Sequence, residues 1–168
     1  MRMKTCIIFG NADISDYSFI RPISAEDFVI SADGGWRHLK RLGIRPNLFI
    51  GDMDSLQETI PEDIKKECYQ PEKDDTDTFI AVKKGLSLGC ERFVFYGCLG
   101  GSLGHTLANI QILIYLAKQN IPAVLEDENS EVYAVSNSTL CFDASRKGKL
   151  SVISLSEQSV GVTLTGLK

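Results

Sequence analysis

Phe49-Ile50-Gly51-Asp52-Met53-Asp54-Ser55 is the stretch around which the predicted fold is organised. The apolar run stops at Gly51, and two carboxylates follow one residue apart, at Asp52 and Asp54. Residues two apart on a strand point to the same face, so both side chains are aimed at one point. Two like charges so placed repel each other unless a cation lies between them, and Mg²⁺ is held by such carboxylates together with substrate phosphates. The stretch therefore predicts a metal and phosphate site. The alternative is a surface turn capped by acidic residues.

Further apolar runs end in Gly or Asp and predict strands that are buried on both faces of a parallel sheet. These runs are Thr5–Gly10, Phe28–Ala32, Leu48–Gly51, Arg92–Gly97 and Pro122–Glu126. Helical patterns separate most of them, at Trp36–Leu42, Pro61–Glu67, Thr78–Leu88 and His105–Gln119. Alternating strands and helices predict an α/β fold with an open, doubly wound, mostly parallel sheet. Ligands bind such sheets outside the carboxyl ends of the strands.

The pattern changes after Asp127, and we predict two regions, an α/β nucleotide-binding catalytic domain over residues 1–127 and a β region over residues 130–168. Short predicted strands separated by Ser, Gly and Asn make up the second region: Glu131–Val135, Thr139–Phe142, Lys149–Leu155 and Val160–Leu164. A β module of this size does not usually stand alone. We therefore expect a small all-β, sandwich-like region that is truncated in this chain or completed by a partner.

Acidic residues recur at successive strand and loop ends: Asp33, then Asp52 and Asp54, then Asp74, Asp75 and Asp77. In a doubly wound sheet these ends converge on one crevice, which favours a shared site over unrelated surface carboxylates. Two glycine pairs, Gly34–Gly35 and Gly100–Gly101, each precede a predicted helix, where bare backbone N–H groups can approach an anion. Lys73, beside the acidic run, is a candidate phosphate contact, and the alternative is a solvated loop lysine.

Composition narrows the possible partners. The formal net charge is −4, which argues against nucleic acid or a membrane surface as the main partner because both are polyanionic. The 5 cysteines are scattered, with no C-x-x-C pair, which favours reduced thiols in a cytoplasm over a disulfide framework. The apolar run near the N-terminus is too short for a signal peptide, and nothing approaches the length of a membrane span.

The chain resembles the thiamine pyrophosphokinases in a series of motifs that cover most of its length. They are A-D-G-G at residues 32–35, G-D-M-D-S at 51–55, K-D-D-T-D at 73–77, and G-G-x-x-x-H-x-x-x-N from Gly100 through His105 to Asn109. The resemblance implies a nucleotide-binding α/β domain followed by a β-sandwich, in a homodimer. It also implies a transferase, a kinase of thiamine diphosphate biosynthesis, that moves the pyrophosphoryl group of ATP to the hydroxyl of thiamine and releases AMP.

The resemblance also assigns roles by motif. Asp52, Asp54 and Asp77 look like the Mg²⁺-binding and catalytic carboxylates, with Asp74 and Asp75 as alternatives to Asp77. The expected substrate- and nucleotide-binding residues are Asp33, Gly34, Lys73, Asp74, Gly100, Gly101, His105 and Asn109. We consider Asp77 a candidate to orient or deprotonate the acceptor hydroxyl, and which acid is the base stays open.

Two departures leave alternatives open. The family's last motif reads G-G-R-x-D-H, whereas this chain has Ser102 in place of the arginine and Gly104 in place of the aspartate. Serine cannot supply the charged, bidentate fork of an arginine. Family members also continue with further strands past Val160–Leu164. The alternatives are a pyrophosphokinase for another heterocyclic alcohol such as a hydroxymethyl pterin, a non-catalytic nucleotide- or thiamine-diphosphate-binding module, and an acid-metal phosphohydrolase.

Overall fold

The computed structural model describes residues 3–52, 59–68 and 75–167, and its centre is a seven-stranded sheet. The strands are β1 (Thr5–Phe9), β2 (Phe28–Ala32), β3 (Leu48–Ile50), β4 (Lys66–Glu67), β5 (Arg92–Tyr96), β6 (Ala123–Glu126) and β7 (Glu131–Val132). The helices are α1 (Trp36–Leu42), α2 (Asp77–Ser87) and α3 (Leu103–Ala117), and a 3₁₀ turn at Asp33–Gly35 leads into α1. Three predicted site residues, Asp54, Lys73 and Asp74, lie outside the described residues.

The sheet has the order β4-β3-β2-β1-β5-β6-β7, and every neighbouring pair is parallel except β6 and β7. From β1 the chain builds outward through β2, β3 and β4, and it then returns to the other side of β1 to place β5 and β6. The order of the strands therefore reverses between β1 and β5, which is the switch point where doubly wound sheets bind ligands. The predicted α/β fold with a mostly parallel sheet is confirmed.

Hydrophobic cores form on both faces of the sheet because successive side chains along a strand point in opposite directions. Ile8 packs in one core with Val82 of α2 and Leu113 of α3. Its neighbour Ile7 packs in the other core with Leu39 of α1. The continuous apolar runs of the central strands are explained by this burial on both sides.

Helix boundaries follow the local signals. Gly43 ends α1 in a left-handed conformation, with φ of 66°, and its N–H donates to the carbonyls of Leu39 and Lys40. At the start of α2, the Thr76 side chain accepts a hydrogen bond from the Phe79 N–H at 3.2 Å. The predicted α1 has the bounds found in the structure, and the predicted α2 and α3 each differ by one or two residues at their ends.

The predicted helix at Pro61–Glu67 is wrong. The chain turns after Pro61, whose carbonyl accepts from the Ile64 N–H at 3.2 Å, and then forms β4 beside β3. Ile60 and Ile64 are both buried in the core that also contains Phe49 of β3. A lone short helix is marginal, whereas the edge of β3 supplies backbone partners, as in the 2.8 Å bond from Phe49 N–H to the Lys65 carbonyl.

The predicted all-β region is not confirmed. Among the described residues 133–167, none is assigned to a strand, and β7 is the last strand before them. Apolar side chains in this segment are exposed, with Ile153 at 76% and Val160 at 85% exposure. The division into residues 1–127 and 130–168 stays a prediction. Within the described ranges, no helix is long and apolar enough to cross a bilayer.

Candidate functional site

A pocket of about 220 Å³ opens at the switch point between β1 and β5. We call it the switch-point pocket. Its walls come from three connections: the loop after β1 (Asp13–Ser15, with Phe19 beyond), the loop after β5 (Gly97–Gly100) and the hairpin between β6 and β7 (Asp127–Asn129). The pocket therefore lies at the carboxyl edge of the sheet, and Gly100 is the predicted site residue in its lining.

The loops after β1 and β5 are tied directly to each other. Gly10 N–H donates to the Tyr96 carbonyl, and Ala12 N–H donates to the Gly97 carbonyl, each at 2.8 Å. Gly97 has φ of 62°, and a Cβ added there would lie 2.7 Å from the Gly10 carbonyl oxygen. Both the positive φ and this short distance exclude a side chain at position 97.

Two residues of α1, Arg37 and His38, donate hydrogen bonds to backbone carbonyls of the loop after β1. His38 is 2% exposed, and its Nε2 donates to the Ala12 carbonyl at 2.8 Å while its Nδ1 accepts from the Tyr17 hydroxyl at 2.7 Å. Burial lowers the pKa of His38, which favours the neutral ring that this pair of bonds requires. The Arg37 guanidinium donates to the Asn11 carbonyl at 2.5 Å. Both contacts fix the loop that forms one wall of the pocket.

Asp33 and Gly34, two of the predicted site residues, lie in the 3₁₀ turn that follows β2. Asp33 has φ of 50°, an uncommon conformation for a residue other than glycine. A Cβ on Gly34 would lie 1.8 Å from Asn11 Oδ1, so the Asn11 amide occupies that space, and its Nδ2 donates to Asp33 Oδ2 at 3.4 Å. A Cβ on Gly51 would lie 3.1 Å from the Asp33 Cα, which places the end of β3, and hence Asp52, beside Asp33.

Asp77 is the first residue of α2, and it lies on the same edge of the sheet. The other end of α2 packs at the opposite edge, because a Cβ on Gly85 would lie 2.7 Å from Phe93, near the start of β5. Asp75, its neighbour in the motif, pairs with Lys83 of α2 at 2.5 Å. The helix therefore begins at the carboxyl edge and delivers Asp77 there.

Asp33, Asp52 and Asp77 are each half-buried in the structure. Carboxylate oxygens are the donors that Mg²⁺ prefers, so the chemistry of this donor set fits that ion. Among the described residues, no group of three or more His, Cys, Asp or Glu side chains is arranged to hold a metal. Asp54, the second member of the predicted pair, lies outside those residues. The metal-ligand assignment of Asp52, Asp54 and Asp77 therefore stays a prediction.

Gly100 and Gly101 form an open turn into α3, with φ of 78° and 64°. No atom of residues 3–52, 59–68 or 75–167 lies within 4 Å of a Cβ added to either glycine, so this part of the chain leaves their backbone accessible. Thr106 Oγ1 lies 3.2 Å from the Gly100 carbonyl oxygen and stabilises the turn. His105 is exposed in the first turn of α3, and the N-cap residue Ser102 makes no capping bond with its side chain.

Asn109 has a packing role in the structure. Its side chain is buried, and Nδ2 donates to the Cys98 carbonyl at 2.8 Å. This bond fixes the loop after β5 from the side of α3. The predicted contact of Asn109 with a substrate is a separate role, and it stays a prediction.

Several residues at the site were not predicted from the sequence. Asn11 follows the strand-ending Gly10, a position that favours a loop at the sheet edge. Nothing in the sequence pairs Asn11 with Asp33, or Ser15 with Glu128, because these contacts join distant segments. His38 lies within a helix whose pattern alone does not distinguish a buried position from an exposed one.

A family model described as "Thiamin pyrophosphokinase, catalytic domain" matches residues 19–125 of the chain. The thiamine pyrophosphokinase of Bacillus subtilis (strain 168) is 32% identical over 145 residues, which cover 83% of this chain and 68% of that protein. The matched residues include the ends of β2, β3 and β5, whereas Asp13–Ser15 and Asp127–Asn129 of the switch-point pocket lie outside the match.

Solved structures agree with this match. The crystal structure of thiamine pyrophosphokinase from Bacillus subtilis superposes with a TM-score of 0.67 at 26% identity, over 77% of this chain and 63% of that one. The enzyme structure from Geobacillus thermodenitrificans superposes with a TM-score of 0.69 at 24% identity, over 83% of this chain and 68% of that one, and it supports the fold alone. This chain thus spans 63% of the length of the first structure and 68% of the second. From the match to the family's catalytic domain and the identity to the Bacillus subtilis protein, the chain belongs to the thiamine pyrophosphokinase family.

Proposed function

We propose that this chain transfers the pyrophosphoryl group of ATP to the hydroxyl of thiamine in a Mg²⁺-dependent reaction that gives thiamine diphosphate and AMP. The observation that carries the proposal is the match of residues 19–125 to the family's catalytic domain. The structure supports it by bringing Asp33, in the first motif, beside the end of β3 that precedes Asp52. Cytoplasmic location stays a prediction.

Phosphoryl transfer requires mainly that the protein position the reactants and neutralise developing charge. In the proposed reaction, Asp52 and Asp54 would hold Mg²⁺, which would screen the negative charge of the ATP phosphates. Asp77 would be a third ligand only if another acid of its motif, Asp74 or Asp75, takes the proton. The open backbone of Gly100–Gly101 approaches the nucleotide, and Asp33 and Gly34 bind substrate at the end of β2. Lys73, Asp74, His105 and Asn109 complete the proposed binding residues.

The acceptor hydroxyl needs a group that orients it and takes its proton during attack on the β-phosphorus of ATP. We propose Asp77 for this role, because it is half-buried at the carboxyl edge of the sheet and begins α2. The bond between the α- and β-phosphates breaks, so AMP leaves and both remaining phosphoryl groups pass to the acceptor.

Product analysis tests the reaction class. The protein is incubated with ATP, Mg²⁺ and either thiamine or a hydroxymethyl pterin, and the nucleotide product is identified. AMP that forms only with thiamine is the expected result. AMP that forms only with the pterin indicates a different acceptor, and phosphate release without acceptor indicates a hydrolase.

A non-catalytic binding module is the second candidate, and Ser102 is the residue that favours it. Ser102 is exposed at the start of α3, where the family motif has an arginine. Nucleotide binding without turnover in the same assay would support this candidate.

Restoring the family's charges should raise the rate. We expect Ser102→Arg with Gly104→Asp to increase kcat/KM about tenfold or more, equivalent to about 1.4 kcal/mol in the barrier, because arginine supplies a fork for phosphate. The backbone allows this change: Gly104 has no positive φ, and the nearest atom to an added Cβ is Ser102 Oγ at 3.7 Å. Ser102→Gln with Gly104→Asn, which adds no charge, is the control. No increase over that control would show that the chain completes its site in another way.

We also propose that the chain works as a homodimer through its C-terminal segment. Residues 150–164 expose apolar side chains, among them Ile153 and Val160, to an extent that is unusual for a monomer surface. Light scattering at micromolar protein should give the mass of a dimer, and Ile153→Glu with Val160→Glu should lower it, whereas Ser151→Glu should not. A stable monomer with full thiamine-dependent turnover would contradict the homodimer.

A further inference from the structure

The carboxylate of Glu128, in the hairpin between β6 and β7, is bound by the loop after β1. Backbone N–H groups of Ser15 and Asp16 both donate to its Oε1, the latter at 2.7 Å. The Ser15 hydroxyl lies 2.7 Å from Oε1 and 2.8 Å from Oε2 and donates to the same carboxylate. We call this set of bonds the Glu128 tether. Bonds from N–H groups to a charged acceptor are stronger than those between neutral groups.

Each of the two segments joined by the tether, the β6–β7 hairpin and the loop after β1, also has hydrogen bonds of its own. In the hairpin, Asp127 Oδ1 accepts from the N–H groups of Asn129 at 2.8 Å and Ser130 at 2.6 Å, which fixes the turn that carries Glu128. In the loop, the Asp16 carboxylate accepts from the Ser18 N–H at 2.9 Å and from its hydroxyl at 2.6 Å. Little further ordering is needed to form the tether.

The same hydrogen bonds favour the ionised form of the Glu128 carboxyl group. The bond from the Asp16 N–H, followed by those from Ser15, holds the pKa of Glu128 below its ordinary value. The side chain is therefore ionised at neutral pH, as an acceptor of several donors must be.

The tether joins two walls of the switch-point pocket. Ser15 belongs to the wall after β1, and Glu128 belongs to the hairpin wall. The third wall, at Gly97–Gly100, is tied to the loop after β1 by the Ala12-to-Gly97 backbone bond. The distance between the loop after β1 and the hairpin therefore depends on the tether.

We propose that Glu128 is a positioning residue that sets the width of the switch-point pocket by holding the Ser15–Asp16 segment against the β6–β7 hairpin. Its consequence for catalysis rests on the proposed function, because the substrate in the pocket is a substrate of that reaction. The tether itself does not depend on the activity, so the two are tested separately.

Two substitutions at Glu128 distinguish the loss of the hydrogen-bond acceptor from the loss of the negative charge. Glu128→Ala removes the acceptor. Glu128→Gln keeps an Oε1 that can accept from both N–H groups, and its amide can donate to the Ser15 hydroxyl. Glu62→Ala removes the same charge from an exposed position before β4 and serves as the control.

Amide hydrogen exchange of the full chain without substrate tests the tether. In Glu128→Ala, the amides of Ser15 and Asp16 should exchange about tenfold faster or more, since charge-assisted bonds protect them. Glu128→Gln should recover most of the protection, and Glu62→Ala should match the unsubstituted chain. Unchanged exchange in Glu128→Ala would overturn the proposal, whatever the activity of the protein.

Steady-state kinetics test the positioning role. Glu128→Ala should raise KM for ATP or thiamine about tenfold while kcat changes less than about threefold, because the reacting groups are retained. Glu128→Gln should restore KM to near its original value. Faster exchange combined with an unchanged KM for both substrates would overturn the positioning role. If the unsubstituted chain forms no AMP, the proposed function fails, and calorimetric affinity for thiamine and for ATP with Mg²⁺ replaces KM.

Discussion

Asp52→Asn is expected to lower kcat/KM about 100-fold or more, equivalent to about 2.7 kcal/mol in the barrier. Asp52 follows Gly51, the residue after β3, and Gly51 approaches Asp33 at the end of β2. An amide keeps the shape of the side chain and removes the charge that a divalent cation needs. Nucleotide affinity in the presence of Mg²⁺ should fall with the rate. Asp54→Asn is expected to behave in the same way.

Folding should change little in Asp52→Asn, because removing one of several neighbouring like charges relieves repulsion. Thermal unfolding of the variant is therefore measured beside its kinetics. Asp63→Asn, which removes a carboxylate from an exposed ion pair with Arg45, is the control and should retain activity. Turnover that persists in Asp52→Asn with a chelator present would contradict the metal assignment.

The second large effect concerns stability. Gly35→Ala should reduce the free energy of unfolding by about 3 kcal/mol, because overpacking a closed site forces the backbone to move. An added Cβ would lie 2.0 Å from the Phe9 carbonyl oxygen and 2.5 Å from its carbon, and both atoms belong to the central strand β1. Gly35 has an ordinary helical φ of −58°, so the effect is steric contact alone.

Thermal unfolding measures this effect, and a chain of this size should lose about 6–12 °C in Tm. Gly104→Ala is the matched control, since the nearest described atom to an added Cβ there is Ser102 Oγ at 3.7 Å and alanine favours a helix. That variant should be as stable as the unsubstituted chain or slightly more stable. Equal melting temperatures for Gly35→Ala and Gly104→Ala would contradict the close approach of the β2–α1 turn to β1.

Strands and helices with clear local signals were predictable from the sequence. The apolar run Phe28–Ala32 and the helix Trp36–Leu42, which ends at Gly43, are found with the predicted bounds. The segment Pro61–Glu67 failed because its backbone partners come from β3, which a local pattern does not include. Tertiary pairing overrode a weak helical preference there.

The candidate site was predictable only in part. Acids at strand ends were expected to converge, and Asp33 does lie beside the residue before Asp52 because a parallel sheet aligns the ends of β2 and β3. The contacts that shape the pocket were not predictable, since the bond from the Asp16 N–H to Glu128 joins residues 112 positions apart. Exposed apolar residues such as Ile153 are strand-like in pattern, but strands need partners, and no strand pairs with them among the described residues.

Tracking the β-phosphorus of ATP tests the central claim most directly. ATP labelled at the β-phosphorus is incubated with thiamine, Mg²⁺ and the protein, and the thiamine product is isolated and counted. Transfer of a pyrophosphoryl group predicts that the label appears in thiamine diphosphate in equal amount to the AMP released. Label that remains in ADP, or thiamine that stays unphosphorylated while ATP is consumed, would contradict the proposed function.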